Sequence, residues 1–161
     1  MEHSDGTQAT HWVVVHVPNV EVIGLTRDHN IVFIQVKRGT HAVDSFELPG
    51  GKVFNFMPSP AELQAQTVDE VQTETGFHPA DNMQLVHHAE INSDWLERRF
   101  DYFAAWDLDP GEPHLESGED ITTVLISVNE VEQKLAAENF PAELRAPLTA
   151  ALKFFREKHL I

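Results

Sequence analysis

Cysteine is absent from the 161 residues. That excludes disulfides, thiolate nucleophiles and zinc–thiolate centres, and it suits a reducing compartment. Positive charge is scarce: 11 Lys and Arg face 26 Asp and Glu, for a formal net charge of −15. A phosphate backbone would be repelled, so nucleic acid is not an expected partner. A phosphorylated small molecule remains compatible with such a chain where a metal ion supplies the positive charge. No apolar run approaches the ~20 residues of a membrane span, and no membrane partner is expected. Met1 to Thr10 is polar and lacks the apolar centre of a secretory signal, so a cytoplasmic protein is expected. Repeats, low-complexity segments and interdomain linkers are also missing. The expectation is a flexible tail over residues 1–9 and a single domain over 10–161, large enough for a real core.

What is present falls into a clear order. His11 to Val17, Val20 to Leu25 and Ile31 to Val36 are β-branched or aromatic runs separated by turn residues, and they are predicted as strands. The third is nearly continuous in apolar content, which predicts burial on both faces. Phe46-Glu47-Leu48 is a short strand. Met83 to Ile91, Arg99 to Leu108 and Ile121 to Val128 follow as further strands. Ser127-Val128-Asn129-Glu130 is a capping-box pattern that opens a helix to about Glu138. Pro141 starts a last helix through Lys158, with Leu144, Leu148, Leu152 and Phe155 on one face. Strands, a crossing helix, more strands and closing helices predict an α/β (α+β) fold: an α/β/α sandwich around a mixed β-sheet.

The chemistry centres on Leu48-Pro49-Gly50-Gly51-Lys52-Val53 and the helix after it. Ser59 is a good N-cap, Pro60 suits the first helical position, and Glu62 sits where a capping-box Glu reaches back. Gly76 can take the left-handed conformation that ends the helix. At 100° per residue, Ala61, Ala65, Val68 and Val71 are expected on one apolar side, with Glu70 and Glu74 one turn apart on the other. Gly50-Gly51 is expected to form a tight turn that lets the backbone approach closely. Two carboxylates beside that turn suit a hard cation such as Mg²⁺, which takes carboxylate and phosphate oxygens.

Gly51, Glu70, Val71, Glu74, Gly76 and Phe77 fall on a known pattern: Gly, five residues, Glu, seven residues, Arg-Glu, apolar, any, Glu-Glu, any, Gly, apolar. The stretch resembles the signature of the Nudix pyrophosphohydrolases. Asp69 stands at the Arg position, Thr73 replaces the first Glu of the pair, Ala61 stands where the early Glu would be, and the loop after Gly51 is four residues longer. The resemblance implies a Nudix-like fold from about Trp12 onward. It also implies a metal site of Glu70, Glu74 and the Gly50 carbonyl, holding Mg²⁺ or Mn²⁺.

Gln35 and Lys37 at the end of the third strand, with Arg38 beside them, and Glu47 before Leu48-Pro49, are similar to the ADP-ribose pyrophosphatase branch. That resemblance implies substrate binding by Lys37, Arg38 and Glu47, and a homodimer to which Trp12 and its strand could contribute, unless they are core. It also implies a further catalytic Glu in the loop before Ile121. Glu116, Glu119 and Asp120 are the candidates, and Glu119 is preferred. The implied catalytic set is Glu70, Glu74 and Glu119, with Glu70 either a second ligand or the base.

Other constellations carry less. His87 and His88 are adjacent on a strand and point to opposite faces, which excludes chelation by the pair. Trp95 and Trp106 suit either core packing or stacking on a base. The residues are compatible with three readings. One is an active hydrolase of a nucleoside diphosphate linked to another group. A second is a degenerate domain that only binds such a ligand. The third is an unrelated mixed α/β interaction domain.

Overall fold

The computed structural model describes residues 10, 12–37, 46–79, 81–137 and 140–161. The expected tail over 1–9, His11 and Arg38 lie outside the described residues. The elements in chain order are β1 (Val14–Val15), β2 (Asn19–Thr26), β3 (Asn30–Val36), β4 (Phe46–Glu47), β5 (Gly50–Lys52), α1 (Pro60–Thr75), β6 (Met83–Asn92), β7 (Leu96–Leu108), β8 (Ile121–Ser127), α2 (Val128–Ala136) and α3 (Ala142–Glu157). The strands join in one 8-stranded mixed sheet. Two pairings, β1 with β7 and β2 with β7, are parallel; the others are antiparallel.

Apolar alternation along the strands puts a core on each face of the sheet. Ile23, Leu25, Ile31 and Phe33 pack with Val131 of α2 and with Leu144, Leu148, Leu152 and Phe155 of α3. The opposite face carries two smaller clusters. Val22 and Val32 pack with Val71 of α1, and Val20 and Phe103 pack with Leu63. Each such buried side chain is worth about 1.5–3 kcal/mol, which makes the sheet faces the main source of stability. The α/β/α arrangement is thus the one the sequence predicts.

The sheet opens between β2 and β3. β2 and β3 pair at Gly24↔Val32 and Leu25↔Ile31, beside their connecting turn. Further on they diverge. β4 pairs with β3 through Ile34↔Glu47 and Gln35↔Phe46. β5 pairs with β2 through Asn19↔Lys52, Val20↔Gly51 and Glu21↔Gly50. β8 covers the other edge of β3 and β7 the other edge of β2. The segment from Phe46 to Lys52 is therefore a wedge between two splayed strands, with Pro49 at its apex.

Three expectations are corrected. The first strand was expected over His11 to Val17, but only Val14–Val15 pairs, and Trp12 to Val15 are exposed. Pro18 has no N–H and breaks the line between β1 and β2 along the same edge of β7. Gly50-Gly51 is not a tight turn but the start of β5. The glycines are needed there for close approach, not for a left-handed backbone. The buried side of α1 is also different. Leu63, Thr67, Val71, Glu74 and Thr75 are buried, whereas Ala61 and Ala65 are exposed. Leu63, Thr67, Glu70, Val71 and Glu74 fall within roughly 100° of arc, so the two glutamates share the sheet-facing stripe. Trp95 is exposed, and Trp106 is partly buried against Phe154 at 5.4 Å between ring centroids.

Candidate functional site

Helix α1 is fixed at both ends. Ser59 accepts from the Glu62 N–H at 3.3 Å, and Glu62 Oε2 accepts from the Ser59 N–H at 2.8 Å, which completes the expected capping box. Gly76 takes φ 75° and ends the helix, its N–H donating to the Gln72 carbonyl. A Cβ at Gly76 would fall 2.5 Å from the Gly111 carbonyl oxygen, so the chain after β7 packs directly on this terminus. His114 N–H donates to the Thr73 carbonyl at 2.9 Å, tying the acidic loop to the helix. The far end of that loop is tied to β3, where Lys37 N–H donates to the Asp120 carbonyl at 3.0 Å and Lys37 Nζ lies 3.5 Å from Asp120 Oδ2.

These anchors bring one set of predicted residues together. Lys37, Glu47, Gly50, Glu74, Glu119 and Asp120 line a single cavity of about 500 Å³. Glu119 Oε2 accepts from the Glu116 N–H at 2.9 Å, so Glu119 is held by its own loop at the cavity wall. Glu116 does not line this cavity. Glu70 sits beside it, on the backbone of the wedge. A Cβ on Gly51 would fall 1.8 Å from Glu70 Oε1, so only glycine leaves that carboxylate its place. Glu74 is tied more directly, its Oε2 accepting from the Gly50 N–H at 2.8 Å.

The electrostatics are those of crowded carboxylates. Burial pushes the Glu74 carboxyl up to about 8; the Gly50 hydrogen bond opposes this, and the charges of Glu70, Glu119 and Glu47 add to it. Burial also raises Glu70, assisted by Asp69, Glu119 and Glu116 and opposed by a hydrogen bond from Gln66. Such perturbed groups in a cleft mark candidate functional sites. The donor set is all oxygen and partly desolvated, beside a backbone stripped of Cβ atoms. That chemistry fits a hard divalent cation rather than a soft one. Among the described residues no group of three or more His, Asp or Glu is assembled as a ready-made metal site.

Two residues near the wedge were not singled out from the sequence. Gln66 Nε2 donates to Glu70 Oε1 at 2.9 Å. Its signal was its place one helical turn before Glu70. Glu21 lies on β2 opposite Gly50, on the α3 side, and its carboxyl is pushed up to about 7 by burial, then by Glu47 and Glu143. Its signal was a lone carboxylate inside the apolar run Val20-Glu21-Val22-Ile23.

The sequence matches no family model, and no curated protein matches it. Solved structures do match. One, described as an ADP compounds hydrolase, is 16% identical with a TM-score of 0.70, over 99% of this chain and 85% of that one. The MutT NUDIX hydrolase from Burkholderia pseudomallei is 16% identical with a TM-score of 0.60, over 85% of this chain and 98% of that one. The MutT protein from Methanosarcina mazei Go1 is 18% identical with a TM-score of 0.59, over 94% of this chain and 99% of that one. The chain therefore has the fold of the Nudix hydrolases. Among the described residues no helix is long and apolar enough to cross a membrane.

Proposed function

We propose that this protein is a Nudix-type pyrophosphohydrolase acting on a nucleoside diphosphate linked to another group, of the ADP-ribose or nucleotide-sugar type, with Mg²⁺ or Mn²⁺ as cofactor. The observation that carries the reading is the convergence of Glu70 and Glu74 on the Gly50–Gly51 backbone, in one fold with the ADP compounds hydrolase.

Glu70, Glu74 and the Gly50 carbonyl are the groups that would hold the cation. When bound, it supplies a Lewis acid that neutralises phosphate charge and acidifies water. The carboxylates then act on the anhydride. Water adds to one phosphorus, the bridging P–O bond breaks, and the water proton passes to a carboxylate. Glu119 or Glu70 takes that proton. Burial raises the Glu70 pKa, which suits that carboxyl to the task. Lys37 offers its ammonium to the diphosphate once the exposed pair with Asp120 opens, and Arg38 stands next to it in the chain. Glu47 at the cavity wall accepts hydrogen bonds from the sugar or base.

A homodimer is part of the same reading. Trp12 is 85% exposed, and Val14, Val15, Phe56 and Trp95 are exposed with it. β1 pairs with β7 along one edge, and the apolar residues around it suit a second copy. Sedimentation of wild type and Trp12→Glu tests this; a monomeric wild type would reject it.

A second reading has its own support. Thr73 and Asp69 remove one ligand and one clamp from the motif, and no three candidate ligands are already grouped among the described residues. This favours a domain that binds the nucleotide and hydrolyses it slowly or not at all. Formation of the two phosphomonoester products from a panel of nucleoside diphosphate sugars and dinucleotides, with Mg²⁺ and Mn²⁺ and a coupling phosphatase, separates the two. Turnover establishes the hydrolase; thermal stabilisation without turnover establishes the binding module.

A further inference from the structure

Two neighbours set the place of Glu70 Oε1. Below it is Gly51, where a Cβ would fall 1.8 Å from Oε1. Along the helix is Gln66, whose amide Nε2 donates to that same Oε1 at 2.9 Å. The residue beside Glu70 is Asp69, exposed and of like charge, at the position where the resembled motif carries an Arg. The helix thus has no cation at that place to orient the carboxylate. It has a neutral donor one turn earlier instead, on the same face of the helix and at the spacing that side-chain pairs favour.

We propose that Gln66 is the positioning residue for Glu70, acting through its hydrogen bond to Oε1 where the adjacent Asp69 offers no donor. A side-chain amide is suited to this. It fixes one carboxylate oxygen by a hydrogen bond, yet carries no charge to compete with a cation for the other oxygen. Glu70 therefore loses the rotamer freedom that would let it swing off the Gly51 backbone. Partners that orient a ligand in this way commonly set metal affinity within a factor of 10–100. The chemical consequence rests on the pyrophosphohydrolase reading above, whereas the geometry does not.

The test uses the full chain and three variants. Gln66→Leu keeps the volume and removes the donor. Gln66→Leu with Asp69→Arg adds back a cation beside Glu70. Gln64→Leu, at an exposed position of the same helix, is the control. Mn²⁺ affinity is read by electron paramagnetic resonance, kcat and KM on the substrate found by the panel, and the Glu70 position by crystallography. Gln66→Leu should weaken Mn²⁺ binding about tenfold and lower kcat with little change in KM. Asp69→Arg in the same chain should recover most of both, a rescue that a purely structural role would not give. Gln64→Leu should match wild type. Mn²⁺ affinity of Gln66→Leu within twofold of wild type, or no rescue by Asp69→Arg, overturns the proposal. If wild type neither binds Mn²⁺ nor turns over substrate, the functional reading falls by itself. The crystal structure then decides the positioning: Glu70 displaced from Gly51 in Gln66→Leu upholds it, and Glu70 unmoved rejects it.

Discussion

The Gly50 N–H donates to Glu74 Oε2 at 2.8 Å, across 24 positions of sequence. The bond joins the wedge between β2 and β3 to the sheet-facing stripe of α1, so the site is assembled by the packing of helix on sheet. Glu74→Gln follows as the most direct probe. The amide oxygen can still accept from Gly50, and the substitution removes a charge held in a buried place. The fold should be retained, and at pH 8 the melting temperature should equal or exceed that of wild type. A neutral amide is a poor ligand for a hard cation, so turnover should fall ~10²-fold or more, worth about 2.7 kcal/mol. Steady-state assays with paired melting curves check both. Wild-type turnover in this variant would remove Glu74 from the catalytic set.

The raised carboxyl pKa values fix a sign for the pH dependence of stability. Burial pushes the Glu74 carboxyl from its ordinary 4.5 up to about 8 in the folded protein. Below that lower value the group is protonated whether folded or not, and above about 8 it is ionised in both states. Between them the native state keeps a proton that the unfolded chain has released, so stability must fall as pH rises. Glu21 adds the same sign up to about 7. Differential scanning calorimetry in chelator should show the melting temperature declining across this range, with a shallower slope in Glu74→Gln. Mn²⁺ should lift it more at pH 8 than at pH 6, because the ligands must be deprotonated to bind. A metal-free wild type whose melting temperature rises over the range would contradict the assignment.

Much of this was legible in the sequence, for reasons the particular elements show. The caps of α1 were readable because Ser59, Pro60, Glu62 and Gly76 act locally. The α3 stripe of Leu144, Leu148, Leu152 and Phe155 was readable because its apolar period matches its burial. The stripe of α1 was misread because hydrophobicity put Ala61 and Ala65 inside, whereas the sheet below takes Thr67 and Glu74. Thr67 is accommodated by donating its hydroxyl to the Leu63 carbonyl at 2.7 Å, and Glu74 by accepting from Gly50. Both depend on neighbours that periodicity does not see. The wedge was misread as a turn because the divergence of β2 from β3 is a property of strand pairing between distant segments.

Gly51→Ala tests the close approach at the wedge. The added methyl would overlap Glu70 Oε1, the carboxylate carbon at 2.3 Å and Oε2 at 2.8 Å, so the whole carboxylate must move. The obstacle is the end of a side chain rather than backbone, so it can yield by breaking its Gln66 hydrogen bond, and the cost in stability should stay within about 1–3 kcal/mol. Function should suffer more, because the carboxylate yields by leaving its seat. Mn²⁺ affinity and turnover should fall together, by tenfold or more. Unchanged Mn²⁺ affinity with lowered stability would mean that the seat is structural only.

A charged network lies midway along the β6–β7 hairpin, outside the lining of the cavity. Asp101 is fully buried on β7, with His88 Nδ1 at 2.8 Å from Oδ1 and Arg99 Nε at 2.8 Å from Oδ2. His88 Nε2 lies 3.1 Å from Glu90 Oε1, so the imidazole bridges two carboxylates. The hydrogen bond to Asp101 holds the His88 pKa above its ordinary value, with Glu90 assisting and burial opposing. A histidine raised in the folded state stabilises fully below its unfolded pKa, near 6.5, and that stabilisation is lost as pH rises through the folded value. The sign is the same as for Glu74, so variants must separate the two. Asp101→Asn keeps the shape and one acceptor but removes the buried anion, leaving His88 and Arg99 without their common partner. It should cost about 1–3 kcal/mol at pH 6. For a chain of this size that is a fall of about 2–4 °C in melting temperature per kcal/mol. The deficit should shrink as pH rises through the folded His88 value, above which only the Arg99 pair remains to be lost. Turnover should be retained, because none of these four residues lines the cavity that holds Glu74. Melting curves of wild type, Asp101→Asn and His88→Gln across pH 6 to 9 supply the test. An equal deficit at both ends of that range would show that His88 ionisation contributes nothing. A turnover loss matching that of Glu74→Gln would show that the network reaches the site.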